Sequence, residues 1–347
     1  MTKARTFLIY LVIFILGFVL TYFGLKLSKI FVKNPLRNIV PTPNAYSKAT
    51  AKPISEVEPE KQEKGTYNIL LLGHGGTGHA GGLLTDSIIV VHVNVNTKKT
   101  TLISVPRDLW ISDNAKINTV GINGFQNSMP VVSSVIGLPI NYFVAVNFSG
   151  FNKIIDDLGG ITVNNPTVLD DSFYPIAGEE NNLCGKTEAE VNTLKTKYSG
   201  YSLETQFTCR YEHLHFDAGP TNLDGKTALK FVRSRHGDSD FGRSARQFAV
   251  LAGIKDKIIS FQALGKFDDI VGTLSQIVKT DLDAGTIKSL VQILGDPKSY
   301  STKQIQLTTN NVLMEGKSAQ GAYILMPKSG DLNFSEVQNY IKTNINP

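Results

Sequence analysis

Apolar residues form one long block near the N terminus and then recur in shorter runs. The block extends from Phe7 to Leu25 without a charged side chain. A helix of that length spans about 28 Å, close to the hydrocarbon thickness of a bilayer. The stretch is too long for a typical signal-peptide core, and no small-x-small cleavage site follows it. We therefore predict a transmembrane anchor over residues 1–33, rather than a cleaved signal peptide; the length of the apolar block does not give its orientation.

The pattern changes twice after this block. Residues 34–65 are rich in proline and charge, which is typical of a flexible linker. Beyond Tyr67 the runs NILLL, SIIVVHVNV and TTLISV predict strands. The segments SGFNKIIDDLGG and GRSARQFAVLAGIKDKIISF carry apolar residues at helical spacing. This mixture predicts a single α/β domain over residues 66–347, with helices packed on a sheet.

Charge is distributed unevenly along the chain, although the net charge is +5. Residues 1–54 contain eight Lys and Arg and no acid, whereas the remaining 293 residues carry 27 basic and 30 acidic side chains. The basic surplus therefore belongs to the N-terminal segment, and no general nucleic-acid-binding surface is expected. More basic residues follow the apolar block than precede it, so the positive-inside rule alone argues against an exported C-terminal part.

A glycine-rich loop follows the first predicted strand and contains the spacing G-x-G-x-x-G at Gly73, Gly75 and Gly78. A dinucleotide-binding turn needs a helix directly after these glycines, but the strand-like sequence TDSIIVVHVNV follows. His79 and Ala80 stand where a phosphate-binding loop of nucleotide hydrolases requires Lys and Ser or Thr. We expect neither nucleotide site.

Two charged motifs lie at the ends of predicted strands, where side chains reach out of a sheet. Asp86 lies in the motif TDS, and Arg107 and Asp108 lie in the motif PRD. In such an arrangement the aspartate can bind a metal ion and the arginine can bind an anion. A surface ion pair at a turn is the alternative.

The segment RSRHGDSDFGRSARQ, residues 233–247, contains four arginines and no lysine. The planar guanidinium fork is suited to bidentate contact with phosphate. Arg243, Arg246 and Gln247 share one face in the first turns of the second helix, whose N terminus adds positive charge. The segment predicts an oligoanion site, with pyrophosphate as the favoured ligand. Salt bridges to the aspartates inside the segment are the alternative.

Histidine and cysteine spacings exclude the common hydrolase and zinc motifs. Glu212, His213 and His215 lack the helical spacing of zinc hydrolases, and no G-x-S-x-G elbow occurs. Cys184 and Cys209 match no common metal motif. They form a disulfide if the domain lies outside the cytoplasm, and are otherwise two unrelated buried thiols.

Taken in order, these motifs resemble the LytR–CpsA–Psr family, membrane-anchored cell-wall ligases of bacteria. The resemblance runs from about Tyr67 to the end of the second helix, through the strings NILLLG, TDSIIVV, TTLISVPRDLWI, KINTVGINGF, FVAVNFSGFNKIIDDLGGITV and LDGKTALKFVRSRHGDSDFGRSARQ. It implies an α-β-α sandwich with a central mixed sheet and a deep apolar pocket for a polyprenyl chain. It also implies a phosphotransferase that moves a glycopolymer from polyprenyl pyrophosphate to a peptidoglycan hydroxyl, forming a phosphodiester. Residues 170–215 depart most from the family pattern and are interpreted as an insertion.

The resemblance also implies roles for individual residues. The expected catalytic group is Arg107, Asp108, Arg233, Arg235 and Arg243, with Asp108 as a base, an orienting group or a structural residue. The expected pyrophosphate ligands are Arg246, Gln247, Lys116 and Asn118. Asp86 matches the family's metal-binding aspartate, while His74 stands where relatives often have a second one. Because Mg²⁺ prefers oxygen ligands, His74 leaves three outcomes open: a single-aspartate Mg²⁺ site completed by substrate phosphates, a softer ion such as Mn²⁺, or a binder with reduced turnover.

The family's location implies a single-pass protein of the cell membrane whose C-terminal domain is extracytoplasmic. Its expected partners are the polyprenyl-pyrophosphate-linked glycopolymer, peptidoglycan and the membrane, without nucleic acid. Two alternatives to the ligase remain: a non-catalytic lipid-pyrophosphate binder that regulates envelope assembly, and a polyprenyl-pyrophosphate hydrolase.

Overall fold

A computed structural model describes residues 62–77, 81–112, 114–236, 240–263, 278–330 and 332–345. The predicted anchor and nearly all of the predicted linker lie outside these ranges. Within them, none of the helices combines the length and the apolar character needed to cross a bilayer. The boundaries of anchor, linker and extracytoplasmic domain stay predictions.

The described residues form strands and helices in alternation. The strands are β1 (Thr66–His74), β2 (Thr85–Asn94), β3 (Lys99–Ser104), β4 (Trp110–Ser112), β5 (Ala115–Lys116), β6 (Tyr142–Asn147), β7 (Ile161–Asn165), β8 (Leu169–Pro175), β9 (Tyr211–Phe216), β10 (Gly219–Leu223), β11 (Val278–Thr280), β12 (Ser301–Gln306), β13 (Leu313–Lys317) and β14 (Tyr323–Pro327). The helices are α1 (Ser128–Ile136), α2 (Phe148–Asp157), α3 (Glu188–Lys197), α4 (Tyr201–Glu204), α5 (Gly225–Arg233), α6 (Asp240–Ala263), α7 (Ala284–Leu294) and α8 (Ser335–Ile345). The three strands and the two helices expected from sequence are all present.

The chain divides into two compact units. Unit 1 comprises the described residues of Met1–Phe151 and Ile258–Pro347, and unit 2 comprises those of Asn152–Lys257.

Unit 1 is built on a six-stranded mixed sheet with the order β11-β6-β1-β2-β3-β12. Strands β6 and β1 are parallel, as are β12 and β3, whereas β2 is antiparallel to both of its neighbours. The last seven residues of β2 are all buried, as expected for a central strand covered on both faces. A central mixed sheet with helices confirms the predicted α/β class. The layering as an α-β-α sandwich and the polyprenyl pocket stay predictions.

One apolar core fixes the position of the sheet in unit 1. Leu70, Val90 and Ile103 of the sheet belong to the same buried cluster as Val132 of α1 and Val337 of α8. Because these neighbouring strands share a packed face, their ends hold fixed relative positions, on which a site can be built.

Unit 2 contains two antiparallel strand pairs, β7 with β10 and β8 with β9, together with helices α3 to α5 and most of α6. Asp224 caps α5 by accepting a hydrogen bond from the Thr227 amide at 2.7 Å. Cys184 and Cys209 form a disulfide with a Cα–Cα distance of 5.7 Å. This bond lies within the 170–215 segment, so of the two alternatives that the sequence left open for these cysteines the structure has the disulfide.

Candidate active site

A β-bulge in unit 1 sets the position of Asp86. Strand β1 pairs Gly73 with Ser87, but its next residue His74 pairs with Thr85. Asp86 is therefore the additional residue of β2 at this point. A bulge turns a side chain away from the regular alternation of a strand. The Asp86 side chain is accordingly 41% exposed at the start of β2, a strand that is otherwise largely buried.

Arg107 connects Asp86 to a second carboxylate. Its Nη1 donates to Asp86 Oδ1 at 2.5 Å, and its Nε lies 3.4 Å from Asp108 Oδ2. Lys116 Nζ donates to the other oxygen of Asp108 at 2.6 Å. The structure thus joins four of the predicted site residues in one chain of charged contacts, in which the arginine lies between two acids. Charge-assisted contacts of this kind are among the stronger hydrogen bonds in proteins.

Asn118 connects the segments that carry this network. Its amide donates to Arg107 O at 3.4 Å, and its carbonyl accepts from Thr85 Oγ1 at 3.3 Å. The side chain is buried, and its Oδ1 has no hydrogen-bond partner among the described residues. Through these two hydrogen bonds, the backbone of Asn118 connects Arg107 to Thr85, the residue that precedes Asp86. The KIN motif therefore lies next to Arg107 and Thr85, and its asparagine acts as a positioning residue.

His74 lies at the end of β1 and is buried. Burial lowers the pKa of His74, a hydrogen bond with Gly82 raises it, and the positive charge of Lys279 lowers it. Because the net direction is downward, the ring is neutral at pH 7. Its Nδ1 lies 3.1 Å from the Gly82 carbonyl oxygen, which can only accept, so Nδ1 carries the proton and Nε2 keeps its lone pair. The ring packs against Phe125 at a centroid distance of 4.6 Å.

The donor atoms at the bulge discriminate between possible metals. Mg²⁺ is usually bound by one or two carboxylates, with water and substrate phosphates completing its shell. The partly exposed Asp86 carboxylate fits this pattern. His74 offers a buried imidazole nitrogen, a ligand that suits Zn²⁺, Ni²⁺ or Cu²⁺ better than Mg²⁺. Asp86 is therefore the residue of this pair that fits a magnesium ion.

A cavity of about 590 Å³ opens in unit 1 next to His74. Phe125 contacts His74 and lines the cavity together with Ile122, Phe143 and Leu282. Lys279, whose Nζ lies 5.7 Å from the Phe125 ring centre, also lines it. The lining combines apolar rings and chains with a cationic group.

In unit 2 the predicted arginines occupy two different environments. Arg233 and Arg235 are exposed at the end of α5 and just after it, and Arg233 Nη1 lies 3.3 Å from the Tyr174 hydroxyl. Arg243 and Gln247 are half-buried near the start of α6. Exposed guanidinium groups on a segment that follows a helix are able to receive an anion.

Arg246 differs from the other arginines because it is almost completely buried, at 1% exposure. Its Nε donates to Phe231 O at 2.8 Å, and its Nη2 donates to Ser234 O at 2.7 Å. The side chain therefore binds the end of α5 and the residue that follows it. The structure gives Arg246 the environment of a positioning residue, whereas the sequence predicts a pyrophosphate ligand at this position.

Asp171 is a functional candidate that sequence reasoning missed. Although it is an acid, it is 1% exposed, and its Oδ2 accepts from Ser234 Oγ at 2.6 Å and from the amides of Arg235 and His236 at 3.3 Å. Its Oδ1 accepts from the Phe173 amide at 2.8 Å. One buried carboxylate thus fixes the backbone that carries Arg235. The available signal was an acid at the inward position of β8, two residues after the buried Leu169.

Comparison with known proteins assigns the family. A family model described as the LytR_cpsA_psr family matches residues 39–341. The chain belongs to this family. The match confirms the resemblance carried by the sequence motifs.

Curated relatives and solved structures extend this assignment. A polyisoprenyl-teichoic acid–peptidoglycan teichoic acid transferase TagU of Oceanobacillus iheyensis is 27% identical over 295 residues, which are 80% of this chain and 76% of the relative. The protein of the same name from Enterococcus faecalis is 27% identical over 318 residues, 86% of this chain and 88% of the relative. The crystal structure of B. subtilis TagV has the same fold, with a TM-score of 0.57, 23% identity and coverage of 82% of this chain and 98% of TagV. The crystal structure of B. subtilis TagU gives a TM-score of 0.51 at 25% identity, with coverage of 82% and 98%.

Proposed function

We propose that this protein is a phosphotransferase that moves a glycopolymer from a polyprenyl-pyrophosphate carrier to a sugar hydroxyl of peptidoglycan. The observation that carries the proposal is Arg107, which contacts Asp86 at 2.5 Å and Asp108 at 3.4 Å beside a β-bulge. Membership of a family whose named relatives are teichoic acid transferases supports the same reaction.

Phosphoryl transfer asks a protein mainly for positioning and for stabilisation of negative charge on the phosphoryl oxygens. In this reaction the sugar hydroxyl attacks the phosphorus that carries the glycopolymer, and the new P–O bond replaces the bond to the bridging oxygen. Polyprenyl phosphate leaves with the electron pair of the broken bond. Arg107 and Lys116 are positioned cations that can stabilise the charge that develops, and the carboxylates around them keep their geometry fixed. The arginines of unit 2, Arg233, Arg235 and Arg243, keep the phosphate-binding role that the sequence motif predicts for them.

Asp108 is the proposed acceptor of the hydroxyl proton. It already accepts from Lys116 at 2.6 Å, so an orienting role for Lys116 and Arg107 is the competing assignment. Asp108→Asn keeps the shape but removes the ability to take a proton. A variant that loses turnover while it retains donor binding supports the base, because loss of orientation would weaken binding as well.

A Mg²⁺ ion, with Mn²⁺ as an alternative, is the proposed cofactor, and Asp86 would hold it. When bound, this ion would add positive charge at the phosphate oxygens. We expect the Asp86→Ala variant to lose most of the rate increase that Mg²⁺ gives the wild-type chain. A rate titration with MgCl₂ measures this, and an unchanged metal dependence would refute the assignment.

We further propose that residues 1–33 anchor the protein in the cell membrane as a single pass, with the catalytic domain outside the cytoplasm. A lipid-linked donor reaches such a domain directly. The 590 Å³ cavity, whose lining combines the apolar residues Ile122, Phe125, Phe143 and Leu282 with Lys279, is the proposed seat of the polyprenyl chain. The disulfide between Cys184 and Cys209 supports an oxidising location.

Three functions are separated by one incubation of the full chain with a lipid-pyrophosphate-linked sugar polymer, with and without a peptidoglycan fragment. Polymer on the fragment identifies a ligase, free phosphorylated polymer identifies a hydrolase, and intact donor identifies a binder. Arg107→Ala should slow transfer at least about 100-fold. Lys153→Ala serves as a control, because it removes an exposed cation whose ion pair, with Asp157 at 3.0 Å, lies within the same helix.

A further inference from the structure

Two histidines on strand β9 of unit 2 share one exposed face. Alternate residues of a strand point to the same side, so His213 and His215 lie together while Leu214 between them is buried. Asp170 of the neighbouring strand β8 lies directly opposite His215 in the register. The pairing therefore brings two imidazoles and a carboxylate to one place on the surface.

The ligand atoms of these three residues converge. His213 Nε2 lies 2.8 Å from Asp170 Oδ1, and His215 Nδ1 lies 3.1 Å from Asp170 Oδ2. One ligand atom from each residue lies within 4.8 Å of the other two. Across the part of the chain that the structure describes, this is the only group of three or more His, Cys, Asp or Glu side chains arranged in this way.

A fourth residue gives His215 the surroundings of a metal ligand. The second ring nitrogen of His215, Nε2, lies 3.3 Å from Asp217 Oδ1. Histidines that bind metals commonly donate their other ring N–H to a carboxylate, which fixes the tautomer and the orientation of the ring. With the proton on Nε2, Nδ1 keeps its lone pair and faces the Asp170 carboxylate, which His213 Nε2 also faces.

We propose that His213, His215 and Asp170 bind a divalent transition-metal ion of the zinc class. Imidazole nitrogens favour Zn²⁺, Ni²⁺ or Cu²⁺ over Mg²⁺, so this site is chemically different from the one assigned to Asp86. Three protein ligands leave one position of a tetrahedral shell to water. The ion connects β8 to β9, the strands that flank the disulfide-bonded segment, and takes no part in the transfer reaction.

The site is tested by titrating the full chain, made without a polyhistidine tag, with ZnCl₂ in the presence of excess Mg²⁺. We expect the wild-type chain to bind one Zn²⁺ that the His213→Ala variant does not bind, or binds at least about tenfold more weakly. The Asp217→Asn variant should retain the ion with an affinity lowered about tenfold, the effect usual for an outer-shell partner.

His236→Gln is the matched control, because His236 also faces a carboxylate, Glu204 at 3.3 Å, but belongs to no three-ligand group among the residues that the structure describes. Its zinc affinity should equal that of the wild-type chain. If His213→Ala and His215→Ala both bind Zn²⁺ with wild-type stoichiometry and affinity, or if the wild-type chain binds none, the proposal is overturned.

Thermal unfolding gives a second readout that does not depend on catalysis. The three ligand side chains are exposed, so metal-free variants should unfold at the wild-type temperature. Added Zn²⁺ should raise the unfolding midpoint of the wild-type chain and of His236→Gln, because an ion that binds only the folded state stabilises it. It should not raise the midpoint of His215→Ala, and an equal rise in that variant would contradict the proposal.

Discussion

Replacing Asp171 with asparagine should release the backbone that carries Arg235 in unit 2. The carboxylate accepts four hydrogen bonds, two short ones from Phe173 N at 2.8 Å and Ser234 Oγ at 2.6 Å, and two at 3.3 Å from the amides of Arg235 and His236. Asparagine has only one acceptor oxygen. Whichever way its amide is turned, the NH₂ group meets donors that the carboxylate had satisfied.

The size of the effect follows from these contacts. A hydrogen bond to a charged group contributes about 1.5–3 kcal/mol, and a buried donor left without a partner costs about 1–3 kcal/mol. Because either the Phe173 amide or the amides of Arg235 and His236 must lose their acceptor, we expect the free energy of unfolding to fall by about 2–4 kcal/mol. The catalytic efficiency should fall as well, because Arg235 no longer has a fixed backbone.

Urea unfolding of the full chain and the transfer assay measure the two effects. Asp170→Asn is the matched control, since Asp170 precedes Asp171 on the same strand but is exposed on the opposite face. In metal-free buffer its unfolding midpoint should equal that of the wild-type chain. In a double-mutant cycle, Asp171→Asn and Arg235→Ala should be less than additive in catalytic efficiency. Wild-type stability of Asp171→Asn, or strict additivity with Arg235→Ala, would refute the positioning role.

Three further predictions concern other buried or linking groups. Burial lowers the pKa of His92 from 6.5 to about 4, so the unfolded chain takes up this proton first as the pH falls. The free energy of unfolding that depends on neutral His92 should be complete above pH 6.5 and be lost progressively toward pH 4, by about 3 kcal/mol in total. In urea unfolding, the free energy of unfolding of His92→Gln should therefore depend less on pH than that of the wild-type chain. An equal pH dependence would contradict this. Replacing Cys184 and Cys209 together by serine should lower the free energy of unfolding by about 3 kcal/mol in urea, because the bond closes a loop with a sequence separation of 25; an unchanged midpoint would contradict it. Arg246→Lys should lower the free energy of unfolding by about 3 kcal/mol in the same assay, because an ammonium group cannot reproduce the two guanidinium contacts with the carbonyls of Phe231 and Ser234. A decrease no larger than that of Gln247→Ala would contradict this prediction.

The regular elements of this fold could be predicted because their patterns are local. The apolar runs of β1, β2 and β3 are each complete within ten residues. Helix α2 buries Ile154 and Ile155, the face that its spacing indicated. The charged motifs at the strand ends could be found for the same reason, since strand ends are visible in the sequence.

The details of the site depend on pairing and packing that no single segment specifies. The bulge at Asp86 arises from the register between β1 and β2, and either strand alone gives no sign of it. Helical spacing placed Arg243 and Arg246 on one face, but it could not tell which side chain α5 would cover. The same two histidines are interpreted differently on a helix and on a strand. His213 and His215 lack the i, i+4 spacing of helical metal ligands, but as alternate residues of a strand they share one face.

The most direct test of the central claim is the initial rate at which the full chain transfers a glycopolymer from polyprenyl pyrophosphate to peptidoglycan. We expect transfer by the wild-type chain and by Lys153→Ala. We expect a loss of at least about 100-fold in Arg107→Ala, the effect of removing one charge-stabilising donor. Absence of peptidoglycan-linked product from the wild-type chain, or a rate for Arg107→Ala close to that of the wild-type chain, would contradict the account.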